Sequence, residues 1–166
     1  TTGLVTEEIY RRKRKKLKKE KRIKIGKKQG FYLDYSLMNA MLDRFFNYED
    51  KASIAKEMLK KEKTQKEIEY TLHLSNYLFI NLETNNDLEK IKDEMLEKGW
   101  KKEEAESVIN HAASRYLYLQ IKEYYSASES SSEEDKIIKE MFRTDGYSED
   151  IIDDAFDIYN GRNTKR

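Results

Sequence analysis

Cysteine and proline are both absent from this 166-residue chain, and glycine occurs only six times. Without cysteine, the chain has no disulfide framework, no thiolate nucleophile and no cysteine-ligated zinc site. Sandwiches and barrels need a turn about every ten residues, and those turns draw heavily on glycine and proline. The scarcity of turn residues therefore predicts an all-α fold.

Long apolar runs are also missing. No run reaches the length that crosses a membrane, and the first residues carry no apolar core of a signal peptide. We therefore expect a cytoplasmic protein, or a nuclear one if the source is eukaryotic. Apolar residues make up 37% of the chain and charged residues 39%, with a mean hydropathy of −0.98. This balance excludes a thick single core and outright disorder, and it favours an elongated array of helices with narrow apolar stripes.

The net charge of +1 hides a steep asymmetry along the chain. Residues 7–28 hold thirteen Lys and Arg against three Glu, a local charge of +10, and the remainder carries a charge of −9. Such a division predicts a basic arm for an anionic partner, attached to an acidic body. The arm could equally fold back onto that body. We place the basic N-terminal helix or arm at residues 1–30 and the helical body at 31–166.

The basic side chains of the arm are the candidate nucleic-acid-binding residues. Lysine and arginine side chains that neutralise phosphates release bound counterions, which gives a salt-sensitive affinity for nucleic acid that does not depend on its base sequence. A solvated helix face or a nuclear-import signal is the alternative interpretation. The candidates are Arg11, Arg12, Lys13, Arg14, Lys15, Lys16, Lys18, Lys19, Lys21, Arg22, Lys24, Lys27 and Lys28. No aromatic residue lies among them, so base stacking along a single strand is not indicated.

An internal repeat follows the first apolar segment, which runs from Phe31 to Phe46. Three stretches align, IAKEMLKKEKTQKEIEYTL, IKDEMLEKGWKKEEAESVI and IIKEMFRTDGYSEDIIDDAF, starting at Ile54, Ile91 and Ile137. The second follows the first at an offset of 37. The third stretch follows the second at an offset of 46 residues. The alignment then treats Asp145 as one extra residue, and the offset is 47 after it. This alignment pairs Ile137 and Met141 with the Ile and Met of the other two stretches.

Each repeated stretch predicts a helix, a tight turn and a second helix, with units near 50–84, 87–126 and 132–160. The turn is Gly99-Trp100 in one unit and Gly146-Tyr147 in another, where glycine ends the helix and the aromatic covers the corner. Longer stretches at 75–84 and 112–125 predict a third helix in the first two units. Units of this size are stabilised by stacking on their neighbours. The sequence therefore predicts tandem three-helix repeats.

Several shorter patterns have a structural and a functional interpretation. The composition of residues 126–135 predicts a hydrophilic linker. Its serines have two interpretations: Ser132 caps the next helix, or the serines with acidic residues after them are substrates of an acid-directed kinase. His73 and His111 lie on different units without carboxylates at metal-ligand spacing. No glycine-rich phosphate loop or catalytic constellation is present. We therefore expect a non-enzymatic chain with no metal, no cofactor and no small-molecule substrate.

The repeat resembles the RecX family, three-helix-repeat regulators of the recombinase RecA. The stretch from Ile91 is similar to the middle repeat of that family, the stretch from Ile137 to its last repeat, and KKEKTQKEIEYTL more loosely to its first. The resemblance covers roughly residues 52–157. It implies a DNA-binding regulator of recombination, with the basic arm as the element that faces DNA.

Two functions are therefore open. The first is a RecX-like regulatory protein that associates with a recombinase–DNA filament and modulates its activity. The second is a protein–protein adaptor, in which the acidic repeats bind a partner protein and the arm tethers the complex to nucleic acid or a ribonucleoprotein. Neither function needs a membrane.

Overall fold

The computed structural model describes residues 33–61 and 63–162 of the chain. Within these residues the chain forms helices and no strand, so the predicted all-α class is confirmed. The helices are α1 (Tyr35–Phe46), α2 (Lys51–Met58), α3 (Gln65–Glu83), α4 (Leu88–Glu97), α5 (Lys102–Tyr124), α6 (Ser132–Thr144) and α7 (Glu149–Tyr159). The basic arm predicted at residues 1–30 lies outside the described residues.

Helix α1 has an aspartate N-cap and one buried apolar face. The Asp34 side chain accepts a hydrogen bond from the Leu37 amide at 3.1 Å, as an N-cap residue does. The same carboxylate lies 2.7 Å from Lys63 Nζ, and the bond to Lys63 is the main reason that its pKa is lowered. The buried side chains of the helix recur at three- and four-residue spacing: Leu37, Met38, Met41, Leu42 and Phe45.

The repeated units contain two helices each rather than three. Helices α3 and α5 are continuous over nineteen and twenty-three residues, so the third helices predicted at 75–84 and 112–125 are the second halves of these long helices. Neither segment contains a glycine or proline that would end a helix. The body of the chain is therefore three helical pairs, α2–α3, α4–α5 and α6–α7, preceded by α1.

Glycine ends α4 and α6 in the same way. Gly99 and Gly146 have φ angles of +91° and +98°, a region that side-chain-bearing residues rarely adopt. The amide that follows each glycine bonds back across the turn, Trp100 N to Met95 O and Tyr147 N to Phe142 O, both at 3.1 Å. This is the Schellman arrangement of a helix C-terminus. Trp100 is buried at its corner, as predicted for a packing role.

These two turns correct the repeat alignment in the third unit. Because the two corner amides bond to Met95 and Phe142, these two residues are equivalent, and the offset is 47 throughout. The buried side chains of α6 are accordingly Ile138 and Phe142, each 3% exposed. The aligned Ile137 and Met141 are instead 55% and 53% exposed. The extra residue assigned to Asp145 does not exist, since Asp145 is the C-cap of α6.

The predicted linker at 126–135 is shorter in the structure. Helix α6 starts at Ser132, and its N-cap is Ser131, whose hydroxyl accepts from the Glu134 amide at 3.2 Å. The prediction that Ser132 is the cap is therefore wrong by one residue. Glu134 follows Ser131 by three positions and Asp135 follows Ser132 by three positions, so the sequence allowed either serine to be the cap.

Helix α5 lies at the centre of the packing, in contact with α1, α3, α4 and α7. One cluster of buried side chains includes residues of every described helix. The contact between α1 and α5 also has a polar edge, made of pairs that step along both helices by four residues. The pairs are Tyr35–Ser107 at 3.1 Å, Asn39–His111 at 2.7 Å and Asp43–Arg115 at 2.7 and 2.8 Å. Since both members advance together, α1 and α5 run in the same direction.

Candidate protein-binding cleft

An open cleft of about 820 Å³ lies where the C-terminal ends of α1 and α3 meet the second half of α5. We call it the acidic cleft. Its lining includes Asp43, Tyr48, Glu83, Tyr116, Glu123 and Tyr124. Three helices from different parts of the sequence thus contribute polar and aromatic side chains to one concave surface.

Glu83 anchors one wall of the acidic cleft. Its carboxylate accepts a hydrogen bond from the Tyr48 hydroxyl at 2.7 Å and another from the Tyr116 hydroxyl. Tyr48 reaches it because the chain leaves α1 through a left-handed residue, with φ of +60° at Tyr48 itself. Two hydroxyl donors from separate elements therefore fix the position of this carboxylate at the end of α3.

Hydrogen bonds from tyrosine to carboxylate recur between consecutive helical pairs. Tyr77 of α3 donates to Glu94 of α4. Tyr125, at the end of α5, donates to Asp135 of α6 at 2.6 Å. Charged acceptors give stronger hydrogen bonds than neutral ones, particularly where burial excludes water. These bonds therefore hold each helical pair against the next.

The phenols near these carboxylates resist ionisation. Burial is the main cause that raises the pKa of Tyr116, and the negative charge of Glu83 raises it further. Burial also raises the pKa of Tyr147, with Asp145 and Glu83 adding to the effect. The pKa of Tyr77 is raised by burial and by Glu94. Tyr77 and Tyr116 thus remain neutral donors to Glu94 and Glu83 beyond the pH at which an ordinary tyrosine ionises.

We expect the free energy of unfolding to fall as the pH rises above about 10, the ordinary pKa of tyrosine. Above that pH the unfolded chain loses phenol protons that the folded chain retains, at about 1.4 kcal/mol per pH unit for each such tyrosine. Denaturant unfolding at a series of alkaline pH values measures the slope. A Tyr116→Phe variant should show a shallower slope by one tyrosine, and an unchanged slope would contradict the assignment.

Negative charge and exposed aromatic surface coincide in the acidic cleft. Its lining holds three carboxylates, Asp43, Glu83 and Glu123, against one lysine, Lys122. Arg115 forms a two-point contact with Asp43 at one edge and offsets its charge, so Glu83 and Glu123 supply the negative charge of the cleft. Tyr124 is 45% exposed, and its ring meets Tyr125 edge-on at 5.2 Å. Carboxylates beside aromatic faces suit the guanidinium or ammonium group of a basic segment.

Other candidates from the sequence do not join the acidic cleft. The thirteen basic residues between Arg11 and Lys28 lie outside the described residues. His111 contacts Asn39 at 2.7 Å and His73 is exposed on α3, and in residues 33–61 and 63–162 no group of three or more potential ligands could hold a metal ion. On α7, Glu149 pairs with Arg143, and that contact lowers its pKa.

The residues of the acidic cleft could not be singled out from the sequence. Glu83 is one of 32 acidic residues and Tyr116 one of twelve tyrosines, and they are joined only by folding.

Among the described helices, none is long and apolar enough to cross a membrane. None of the family models, curated proteins or solved structures compared with this chain matches it.

Proposed function

We propose that this chain is a non-enzymatic adaptor, whose acidic cleft binds a basic segment of a partner protein and whose basic arm binds nucleic acid. The observation that supports it is the joint presence of Glu83, Glu123 and the exposed ring of Tyr124 on one open surface of about 820 Å³. A cleft of this size lies within the range of pockets that enclose a drug-sized ligand, so it can hold a short stretch of a partner. Opposite charges would guide the encounter and set its salt dependence.

A second candidate is a RecX-like regulator that acts on a recombinase–DNA filament. The corners at Gly99 and Gly146 support it, because the repeated helix–glycine–aromatic pattern carries the resemblance. The two-helix units count against it, since the resemblance implies three helices in each unit. Strand-exchange assays with a purified recombinase test this candidate directly, and no change in the rate would exclude it.

The basic arm is tested by a salt titration of binding to labelled single-stranded and duplex oligonucleotides. We expect the affinity to fall by about 10³-fold or more between about 50 and 200 mM salt. Changing the six consecutive basic residues 11–16 to glutamine should lower the slope of log affinity against log salt by up to about five. If neither oligonucleotide binds at moderate salt, the arm is not a nucleic-acid-binding element.

The acidic cleft is tested with a short labelled arginine-rich peptide and the full chain. Glu123→Lys removes an attraction and adds a repulsion, so we expect the affinity for the peptide to fall roughly tenfold at low salt. Asp153→Lys is the matched control, because it makes the same charge change on an exposed residue of α7 outside the lining. Equal losses in the two variants would mean that net charge alone, and not the cleft, attracts the peptide.

A further inference from the structure

Helix α6 has an apolar pair on a face that the core leaves open. Ile137 and Met141 lie one turn apart, and each side chain is more than half exposed. Ile138 and Phe142 of the same helix are buried in the core. Single exposed apolar side chains are ordinary on a protein surface, whereas adjacent ones on one helix face form a patch that can bind a partner. The packing of α6 therefore accounts for one of its two apolar faces.

The first two units have polar residues at the same positions. Ile137 corresponds to Ser53 and Lys90, and Met141 corresponds to Glu57 and Glu94. In both units the glutamate contacts the element before it. Glu57 lies 3.9 Å from Arg44 of α1. Glu94 accepts a hydrogen bond from Tyr77 of α3. In the third unit an exposed thioether replaces this carboxylate, so the position makes no such polar contact with the preceding pair.

Glutamate side chains surround Ile137. On a helix surface the neighbours of a residue are those three and four positions away. For Ile137 these neighbours are Glu133, Glu134, Glu140 and Met141. Arg143 lies 3.1 Å from Glu140 and offsets its charge. Glu133 and Glu134 therefore supply the negative charge beside the apolar pair.

The basic residues of α6 lie away from this pair. Lys139 lies over the Phe156 ring of α7, 5.0 Å from its centroid. Arg143 also contacts α7, through Glu149. Lys136 is displaced around the helix by about 100° or more from both members of the pair. The open face of α6 is therefore apolar along its middle and acidic towards its N-terminal end.

We propose that the face formed by Glu133, Glu134, Ile137 and Met141, which we call the α6 face, binds a basic amphipathic helix of a partner protein. Two apolar side chains one turn apart form a ridge that fits the groove of another helix. The backbone of α6 is hydrogen-bonded within the helix, so an extended segment gains no strand pairing there. Lysine or arginine beside the partner's apolar stripe would pair with the two glutamates.

The α6 face is a different surface from the acidic cleft, since within the described residues none of α6 lines that cleft. The inference therefore goes beyond the proposed function and does not rest on it. A chain with both surfaces would hold a partner, or two partners, at two places.

A second copy of the chain is a poorer occupant than a basic helix. Parallel pairing of two α6 faces brings the first-turn glutamates of both copies together. Antiparallel pairing across Ile137 and Met141 brings Glu133 and Glu134 of one copy towards Asp145 and Thr144 of the other. Neither arrangement places a cation beside these carboxylates, so like charge opposes the contact.

The test uses the full chain and a fluorescent peptide of about 18 residues, long enough to form a helix. The peptide has leucines at three- and four-residue spacing with lysines beside them, and its control has the same composition in scrambled order. We expect the scrambled peptide to bind at least about tenfold more weakly, because charge alone does not fill the face. Equal binding of the two peptides overturns the inference.

Substitutions locate the binding surface. Ile137→Ser combined with Met141→Ser should weaken the leucine–lysine peptide by about tenfold or more, because the apolar ridge is lost. Leu59→Ser is the control, since Leu59 is equally exposed but lies after α2. Circular dichroism checks that both variants fold. Unchanged affinity in the double variant, or an equal loss in the control, overturns the inference.

Charge substitutions separate the α6 face from the acidic cleft. Glu133→Lys should weaken the peptide by about three- to fivefold at low salt relative to Asp153→Lys, the same change on an exposed residue of α7. Glu123→Lys, in the cleft, should have no larger effect than Asp153→Lys. If Glu123→Lys weakens the leucine–lysine peptide and the two serine substitutions do not, the peptide binds the cleft. That result overturns the inference and leaves the proposed function standing.

Two further measurements test other occupants of the α6 face. Sedimentation equilibrium gives the mass of the full chain in solution, and flotation with vesicles of phosphatidylcholine and phosphatidylglycerol detects binding to a lipid surface. We expect the serine substitutions at Ile137 and Met141 to change neither result. Self-association or flotation that these substitutions abolish would assign the face to a second copy or to lipid, and would overturn the inference.

Discussion

Phe142→Ala is expected to lower the free energy of unfolding by about 3 kcal/mol or more, whereas Met141→Ala should change it by less than about 1 kcal/mol. The two residues are neighbours on α6, but Phe142 is 3% exposed and Met141 is 53% exposed. The Phe142 ring packs edge-on against Tyr147 with centroids 6.4 Å apart. Truncating it removes apolar contact from the core and leaves a cavity at the corner of the third unit.

Urea unfolding followed by far-UV circular dichroism gives both changes in free energy. Ile138→Ala and Ile137→Ala form a second matched pair one turn earlier, buried at 3% and exposed at 55%. The buried member should again be the costly one. If Met141→Ala and Ile137→Ala proved the more destabilising pair, the offset of 46 would be right and the packing of α6 would be wrong.

This pair also shows where the sequence was ambiguous. Residues 137–138 and 141–142 are all apolar, so two registers one residue apart place an apolar stripe on α6. Alignment by residue identity selected Ile137 and Met141. The hydrogen bond from Tyr147 to Phe142 decides otherwise, because the glycine corner sets which residue lies one turn before it. At the positions equivalent to Ile137 and Met141 the second unit has Lys90 and Glu94 and the first has Ser53 and Glu57, so an apolar pair there is peculiar to the third unit.

Local signals predicted local structure well. Thr64 and Glu67 have the three-residue spacing of a capping box, which forms with both of its hydrogen bonds, and Ser148 lies just before the acidic first turn of α7 and caps that helix. Gly99 and Gly146 end their helices as expected. Each of these features is decided within a few residues of the chain, so no knowledge of the fold was needed.

Features that depend on distant residues were not predictable. The hydrogen bond between Tyr116 and Glu83 spans 33 residues, and that between Tyr48 and Glu83 spans 35. Nothing in the sequence distinguishes Glu83 from the other acidic residues. The number of helices in a unit was also missed, because the stretches at 75–84 and 112–125 were predicted as separate third helices, whereas they continue α3 and α5 without a break. The acidic cleft arises from these long-range contacts, and the sequence alone could not indicate it.

Phe79→Ala is expected to cost about 3–5 kcal/mol of the free energy of unfolding. The ring is 1% exposed and lies at the centre of an aromatic cluster behind the acidic cleft. It stacks on Phe45 with centroids 6.0 Å apart and meets the edges of Tyr48 and Tyr116 at 6.3 and 6.2 Å. Replacing it with alanine removes the apolar contacts of three rings at once, from α1, from α5 and from the turn after α1.

Phe79→Leu is the control, because it fills much of the same volume and should cost about 1–2 kcal/mol. The chain has a single tryptophan, Trp100, whose buried fluorescence offers a second unfolding probe in another part of the core. Coincident transitions by fluorescence and circular dichroism would justify a two-state free energy. A loss below about 1 kcal/mol for Phe79→Ala would contradict the aromatic cluster. Since Tyr48 and Tyr116 both bond to Glu83, the same result would also remove the support of the cleft wall.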